Sequence, residues 1–439
     1  PLLFGIAATW CGFALPGTAF LLAALFPLFL LIAQELLWRV EERSRKKGFL
    51  WLSIGMNLLV LVFFKYFNFF AENFEKVWRG IAGGEGWQLP AIVLPVAISF
   101  YTFQSIAYAV DIYRGKATPL KEFSTFAAYL AFFPQLVAGP IERPGRFLPQ
   151  FEVKREWNPE LFRSAAALLL SGYFKKVFVA DNCALLVNYA FDPATPLNAA
   201  WAGLGVVAFA FQIYGDFSGY TDIARGSARL MGIELSRNFI FPYLARSPSD
   251  FWQRWHITLS TWFRDYVYIP LGGNRSGAWM TARNLAITML LAGLWHGANW
   301  TFLAWGAFHA VILVLFHFSK RWQQLATAPG WFARFSSVTL MFVLTCVGWA
   351  IFRSENMQQL VRWMAAFTNW NEASAALKPF YWFLLHTIPL LLLQWAAFKS
   401  GDEAEPALPW GMRGAVYAVM TLCIASSIST EQEFIYFQF

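Results

Sequence analysis

A succession of apolar runs limits what this chain can become. They recur at roughly 2–14, 16–38, 49–71, 90–112, 123–139, 161–180, 182–191, 201–222, 284–303, 304–318, 332–352, 379–398 and 411–429. A helix that crosses a bilayer needs about 20 apolar residues, and about eight of these runs meet that length. The others are short or interrupted, by Lys175-Lys176 or by Pro134. Those read as re-entrant or half-spanning helices, which a membrane tolerates only where protein covers their backbone. The chain is 58% hydrophobic and 14% charged over 439 residues, with mean hydropathy +0.45; soluble domains carry about 25% charged residues. Its 22 Trp and 46 Phe suit lipid-facing surfaces and interfacial belts. The expected fold class is an all-α polytopic membrane protein. No internal repeat or low-complexity linker divides the chain, so a single transmembrane domain over 1–439 is expected. The chain opens inside an apolar run at Pro1 with no basic stretch before it. No secretory signal peptide is expected there, and a first helix is expected to be missing ahead of it.

The net charge is +8. In a soluble protein that would suggest nucleic acid; in a chain this apolar it reads as the cytoplasmic loop charge of the positive-inside bias, and nucleic-acid binding is excluded. Arg39 to Lys47 holds five basic residues in nine positions, and Asp192 to Ala200 holds none. Arg225 to Arg283 carries eight Arg against three acids, Glu234, Asp250 and Asp265. The first and third stretches are placed in the cytoplasm and the second outside. Cys11, Cys183, Cys346 and Cys423 are far apart in or beside apolar runs and read as small buried hydrophobes.

Between the two hydrophobic halves lies a polar, aromatic, arginine-rich stretch, Ser247 to Arg275. Ser247 reads as a helix N-cap, Pro248 as the first helical residue and Asp250 as a capping-box acid. In the helix that should follow, Trp252, Trp255, His256, Leu259, Phe263 and Tyr266 share one face. Pro270 to Arg275 then breaks it. His296 falls inside the next expected helix, Asn284 to Trp300, with Ala292, Gly293 and Gly297 around it. These small residues leave room for a ligand chain or, more commonly, for a packed helix.

Ionisable groups at membrane depth are costly and are functional candidates by default. For His296 the competing reading is a core histidine bonded to a neighbouring helix. For His256 it is an orienting or interfacial residue. His309 sits beside Gly306 and Ala310, His317 beside the basic end Lys320-Arg321, and His386 reads as packing. No His-x-x-x-His or other ligand spacing indicates a metal. No P-loop, dinucleotide fingerprint or Gly-x-Ser-x-Gly elbow is present. A buried imidazole held as its free base could deprotonate a hydroxyl for attack on an activated acyl group. A base of that kind contributes about 10²–10⁴ in rate.

Eight ordered blocks resemble the membrane-bound O-acyltransferases, and within them the branch of the alginate O-acetyltransferase membrane subunit. They are Leu94 to Gln104, Phe133 to Ile141, Phe174 to Asn182, Gly215 to Asp222, Arg254-Trp-His256, Trp262 to Asn274, Leu294-Trp-His-Gly297 and the terminal Phe434 to Phe439. The resemblance implies a ring of tilted transmembrane and re-entrant helices around a central tunnel. It makes His296 the catalytic residue and His256 the second essential polar group, with Trp252, Trp255, Trp295 and Asn299 as tunnel lining. It implies acetyl-CoA as the acyl donor, entering from the cytoplasm, with no tightly bound cofactor. Arg254 and Arg264, on the His256 helix, are the candidates for its phosphates. The acceptor would be an extracellular polysaccharide such as alginate, reached with a separate periplasmic polysaccharide acetyltransferase as partner, at the bacterial inner membrane. An alternative keeps the chemistry and transfers D-alanyl or another acyl group to a cell-wall polymer. A transporter or flippase would instead be expected to show Gly/Pro-broken helices at matching positions of two repeats, and the sequence has none.

Overall fold

Every regular element is helical among the residues that the computed structural model describes: 42–82, 92, 95, 97–120, 122–400, 408–427 and 434–435. The apolar runs 2–14 and 16–38, Cys11 and the residues after Ile435 lie outside them, as do parts of the Arg39 to Lys47 and Leu94 to Gln104 stretches. Five described helices are long and apolar enough to cross a membrane: Ser44–Ile81, Ala199–Leu230, Trp300–Phe318, Trp331–Arg353 and Ser374–Phe398. A helix satisfies its own backbone polar groups, which hydrocarbon cannot. The chain is thus an all-α polytopic membrane protein. It separates into two compact units, residues 1–137 with 141–154, and residues 138–140 with 155–439.

The first unit is built on α1 (Arg43–Ala82) and α2 (Ile98–Tyr113), which pack together. At 1.5 Å per residue α1 is about 60 Å long, twice the hydrocarbon thickness. Asn68 clamps the returning chain: its Nδ2 donates to the Ile92 carbonyl at 2.9 Å, and the Ile92 N–H donates to its Oδ1 at 3.0 Å. The apolar run at 123–139 is no single helix. It gives α3 (Phe123–Leu130) and a short turn at Phe133–Leu136, because Pro134 can only sit in a first turn. Tyr129 of α3 packs its ring between those of Tyr108 and Phe147, and its hydroxyl donates to the Glu142 carbonyl at 3.0 Å.

The second unit carries the rest. The runs at 161–180 and 182–191 form one rod: α4 (Pro159–Tyr173), a π-helical stretch Phe174–Ala180, and α5 (Asp181–Phe191). The rod packs along α6 (Ala199–Leu230), whose residues are buried for most of their length. Gly172 and Gly219 allow a close approach; a Cβ on Gly172 would lie 2.6 Å from the Gly219 carbonyl oxygen, and one on Gly219 2.8 Å from that of Gly172. That contact brings the lysines of the rod against the acids of α6. Lys175 Nζ lies 2.7 Å from Asp222, and Lys176 Nζ lies 2.8 Å from Asp181 and 2.9 Å from Asp216. The interrupting lysines of the sequence are thus paired with carboxylates inside the protein, as burial of a charge requires. The remaining helices are α7 (Pro248–Trp252), α8 (Ile257–Phe263), α9 (Ala278–His296), α10 (Trp300–Phe318), α11 (Lys320–Thr327), α12 (Trp331–Arg353), α13 (Met357–Ala366), α14 (Leu377–Ser400) and α15 (Trp410–Ser427).

Candidate active site

The start of the central segment follows local rules. Ser247 caps α7, its Oγ accepting from the Asp250 N–H at 3.1 Å, with Pro248 in the first turn. The continuous helix that periodicity predicts does not form. It stops after Trp252 and restarts at Ile257, and His256 between them has φ 42° and ψ 55°. A non-glycine residue there costs roughly 1–2 kcal/mol. Distant partners hold it. The Ile240 N–H donates to the Arg254 carbonyl at 3.0 Å and the Ile257 N–H to the Asn238 carbonyl at 2.9 Å. Asn238 Oδ1 accepts from the Thr258 N–H at 3.2 Å and the Thr258 hydroxyl at 2.6 Å. The segment at 238–240 thus opens the helix and turns His256 inward. Trp255, Leu259 and Phe263 are buried with it, so the apolar face survives although the helix does not.

His256 is 1% exposed, and neither ring nitrogen has a hydrogen-bond partner. Buried polar groups are nearly always paired, so two free nitrogens on one ring call for an explanation. The ring stands edge-on to Phe217, centroids 4.6 Å apart, and 6.2 Å from Trp295. Burial pushes its pKa well below the ordinary imidazole range, so it is the neutral base.

His296 does not sit within a helix, as the sequence suggests, but at the end of one. α9 stops at His296, Gly297 is extended, and Asn299 caps α10, its Oδ1 accepting from the Thr301 N–H at 3.1 Å. α9 and α10 form a tight hairpin in which a Cβ on Gly293 would lie 2.3 Å from the Phe302 carbonyl, and one on Gly306 2.6 Å from the Met289 carbonyl. The small residues around His296 therefore serve helix packing. The hairpin delivers His296 to an aromatic cage: its ring centroid lies 5.0 Å from Trp295, 5.0 Å from Trp305 and 5.1 Å from Phe352.

A narrow slot opens beside His296, holding about 300 Å³ of space not filled by atoms, its open mouth included. Ile213 and Phe217 of α6, Trp255, Trp305 of α10, Trp349 and Phe352 of α12, and Ile435 complete its lining. The histidines are linked through shared rings: Trp295 touches both His256 and His296, and Trp305 touches both His296 and His309. Trp252 lies one layer out, 5.0 Å from His309 and 5.7 Å from Trp305.

The structure thus brings together His256, His296, Trp252, Trp255 and Trp295. Asn299 instead ties two loops: besides capping α10, its Nδ2 donates to the Glu355 carbonyl at 2.7 Å. Arg254 is engaged locally, its Nε donating to Asp250 at 2.6 Å and its Nη1 to the Ile240 carbonyl at 3.3 Å. Arg264 pairs with its neighbour Asp265 at 2.8 Å, and its side chain is 59% exposed. His386 packs, its Nδ1 2.8 Å from the Trp382 carbonyl. Sequence reasoning missed Trp305, Trp349 and Phe352, whose helical positions on α10 and α12 carry no polar signal. It also missed Ile435, which comes from the far end of the chain. No cluster of metal-binding side chains occurs among the described residues.

Comparison with known proteins places this geometry. Residues 120–352 match the model of the membrane-bound O-acyltransferase family. The chain is 39% identical over 364 residues to a "Probable alginate O-acetylase AlgI" of Pseudomonas putida, covering 82% of this chain and 73% of that one. It is 42% identical over 319 residues to the protein of the same name from Azotobacter vinelandii, covering 72% and 62%. A "Peptidoglycan O-acetyltransferase" of Helicobacter pylori is 35% identical over 358 residues, covering 74% and 66%. The chain thus spans between about three fifths and three quarters of the length of these relatives. With His256 and His296 set in one aromatic cage inside the matched region, the chain belongs to the membrane-bound O-acyltransferase family.

Proposed function

We propose that this protein moves an acetyl group from cytoplasmic acetyl-CoA to an acceptor hydroxyl on the way to O-acetylation of an extracellular polysaccharide, with His296 as the catalytic base. The carrying observation is the placement of His296: a helix-end imidazole on a slot otherwise walled by apolar side chains. In such a site a hydroxyl oxygen attacks the thioester carbonyl carbon while its proton passes to an imidazole nitrogen of His296. The tetrahedral intermediate then collapses, the carbon–sulfur bond breaks, and the thiolate leaves with the proton returned from the imidazolium. Apolar walls exclude water, which would otherwise compete for the acyl group and weaken every charge interaction in the slot. His256, unpaired and neutral behind Trp295, is the second essential group, supporting the reaction from the buried side of the cage.

Of the two arginine candidates for coenzyme A phosphates, Arg264 is the exposed one and the better placed. The Arg225 to Arg283 stretch faces the cytoplasm in this reading, in a bacterial inner membrane, and a ring of helices around a tunnel joins the two sides. A periplasmic polysaccharide acetyltransferase takes over the acetyl group or shares its delivery. The similarity to alginate O-acetylases favours alginate as the destination.

The test is mass analysis of O-acetyl groups on the secreted polysaccharide and on peptidoglycan. Cells would carry the protein, no protein, or the His296→Ala variant at matched membrane levels. Acetylation of the secreted polymer that depends on His296 supports the proposal. Acetylation confined to peptidoglycan moves the acceptor. Full acetylation by the variant sinks the role of His296.

A further inference from the structure

One wall of the slot comes from the far end of the chain. Ile435 is 1% exposed and lines the same space as His296. Its backbone is tied down by a charge: the Ile435 N–H donates to Asp216 Oδ2 at 2.6 Å. Asp216 is itself 2% exposed, and its other oxygen lies 2.9 Å from Lys176 Nζ, which also meets Asp181 at 2.8 Å. Next to it, Phe434 stacks on Tyr220 of α6, centroids 5.1 Å apart. A buried carboxylate is expensive unless it is paired and hydrogen-bonded. Here the carboxylate spans two elements, a lysine on the rod beside α6 and a backbone N–H more than 200 residues further along the chain.

The other seven lining residues sit on α6, α9, α10 and α12 or, for Trp255, in the turn between α7 and α8. Apart from Ile213, which is fixed on α6, they are rings that pack on one another: Trp255 on Trp349 at 4.8 Å, and Trp305 and Trp349 on Phe352 at 5.6 and 5.8 Å. Enlarging the slot at any of these rings would unseat a neighbour. Ile435 is an aliphatic wall held by its backbone and by the adjacent ring, so its side chain can change size with little disturbance to the cage.

We infer that Ile435 is the specificity-determining wall of the slot, admitting a short acyl group and excluding longer ones, and that Asp216, held by Lys176, is the positioning residue that keeps it there. This rests on the acyl-transfer reading above and deepens it. A pocket that discriminates by one or two methylenes does so by filling the space that they would need, at about 10–200-fold per methylene.

The experiment compares acetyl-, propionyl- and butyryl-CoA as donors for the purified full chain in nanodiscs, by kcat/KM for each. Ile435→Ala should raise the butyryl-to-acetyl ratio by about tenfold or more. Ile435→Trp should lower transfer of all three, butyryl most. Asp216→Ala should blur the preference in the same direction as Ile435→Ala, and Asp216→Asn, which keeps an acceptor oxygen for the Ile435 N–H, should restore much of it. A merely structural loss at Asp216 would lower all three rates together and leave the ratios unchanged. If Ile435→Ala does not fold, Ile435→Val carries the same ratio test with one methylene. Active Ile435 variants with the wild-type chain-length ratio overturn the inference. Failure of the wild-type protein to transfer any acyl group overturns the reading on which it rests.

Discussion

Two buried polar clusters lie in the second unit, and they are handled in opposite ways. Along the α4–α5 rod and α6, Lys175, Lys176 and Arg225 each face a carboxylate of Asp181, Asp216 or Asp222, at 2.7 to 3.7 Å. Around the slot, His256 has two unpaired ring nitrogens, and the His309 Nδ1 and Trp305 Nε1 are likewise without a hydrogen bond. The first cluster carries formal charge that could not survive burial alone, so it is paired. The second is built from neutral rings, whose unpaired atoms are tolerable and remain free to meet a substrate. In the reading proposed above, the paired cluster holds helices together and the neutral rings around the slot do the chemistry. Asp216 joins the two, since it belongs to the ionic cluster and anchors a wall of the slot.

The sharpest way to break this contrast is to remove one member from each cluster. His296→Ala should lower turnover by about 10²–10⁴, the usual contribution of a general base. Thermal stability in detergent should change little, because the ring lies partly open to the slot. Asp222→Ala should do the reverse. It leaves Lys175 buried without its carboxylate, at a cost of about 3–5 kcal/mol. Fluorescence-detected unfolding and turnover on the surviving folded fraction measure both. An Asp222→Ala protein that melts like the wild type would show that the ionic cluster is not what ties the rod to α6.

Some of this is legible in the sequence and some is not. The helical class and the membrane follow from apolar runs, and the burial of His256 from the apolar face it shares with Trp255, Leu259 and Phe263. The cap at Ser247 is local, and the sequence alone predicts it. The turn at His256 is hidden because its cause is distant: Asn238 and Ile240 take the backbone hydrogen bonds that would have continued the helix. The end of α9 does carry a local signal inside the apolar run 284–303, since Asn299 is a good N-cap residue. The two lysines that interrupt an apolar run suggest a half-spanning segment. Asp181 lies on the same rod, but Asp216 and Asp222 lie on α6, and a linear reading cannot count those. Ile435 falls in the terminal block of the resemblance, but the Asp216 hydrogen bond and the Phe434–Tyr220 stack that hold it at the slot are long-range contacts, which a linear reading does not show.

A subtler probe uses protons. Burial holds the His256 pKa below its ordinary value in the folded protein, whereas in the unfolded chain it titrates near about 6.5. Above that pH both states are neutral and the group adds no pH dependence. Below it the unfolded state takes up a proton that the folded state refuses, so stability falls as the pH falls, by up to about 1.4 kcal/mol per unit. His256→Asn keeps a side chain that accepts the left-handed backbone and removes the titration. Melting curves of the two proteins should run parallel above pH 7 and diverge towards pH 5, the wild type losing more. Parallel curves throughout would mean that the imidazole finds a way to be charged inside the cage.

The arginines extend the contrast to the surface, with the smallest expected effect. Arg254 belongs with the paired groups, through Asp250 and the Ile240 carbonyl, and it braces the turn that presents His256. Arg264 is mostly exposed beside Asp265, and an exposed pair of that kind contributes about 0–1 kcal/mol to stability. Arg264→Ala should therefore leave melting and kcat nearly unchanged and raise the KM for acetyl-CoA a few-fold, an effect that weakens as salt is added because the attraction to phosphate is screened. Arg254→Ala should lower the melting temperature and kcat together, since it loosens the segment that carries His256. The two variants thus separate a guanidinium that meets the donor from one that shapes the site. If Arg254→Ala alone raised the KM while its melting temperature held, the donor would be reading the braced arginine, and the Asp250 pair would have to open when acetyl-CoA arrives.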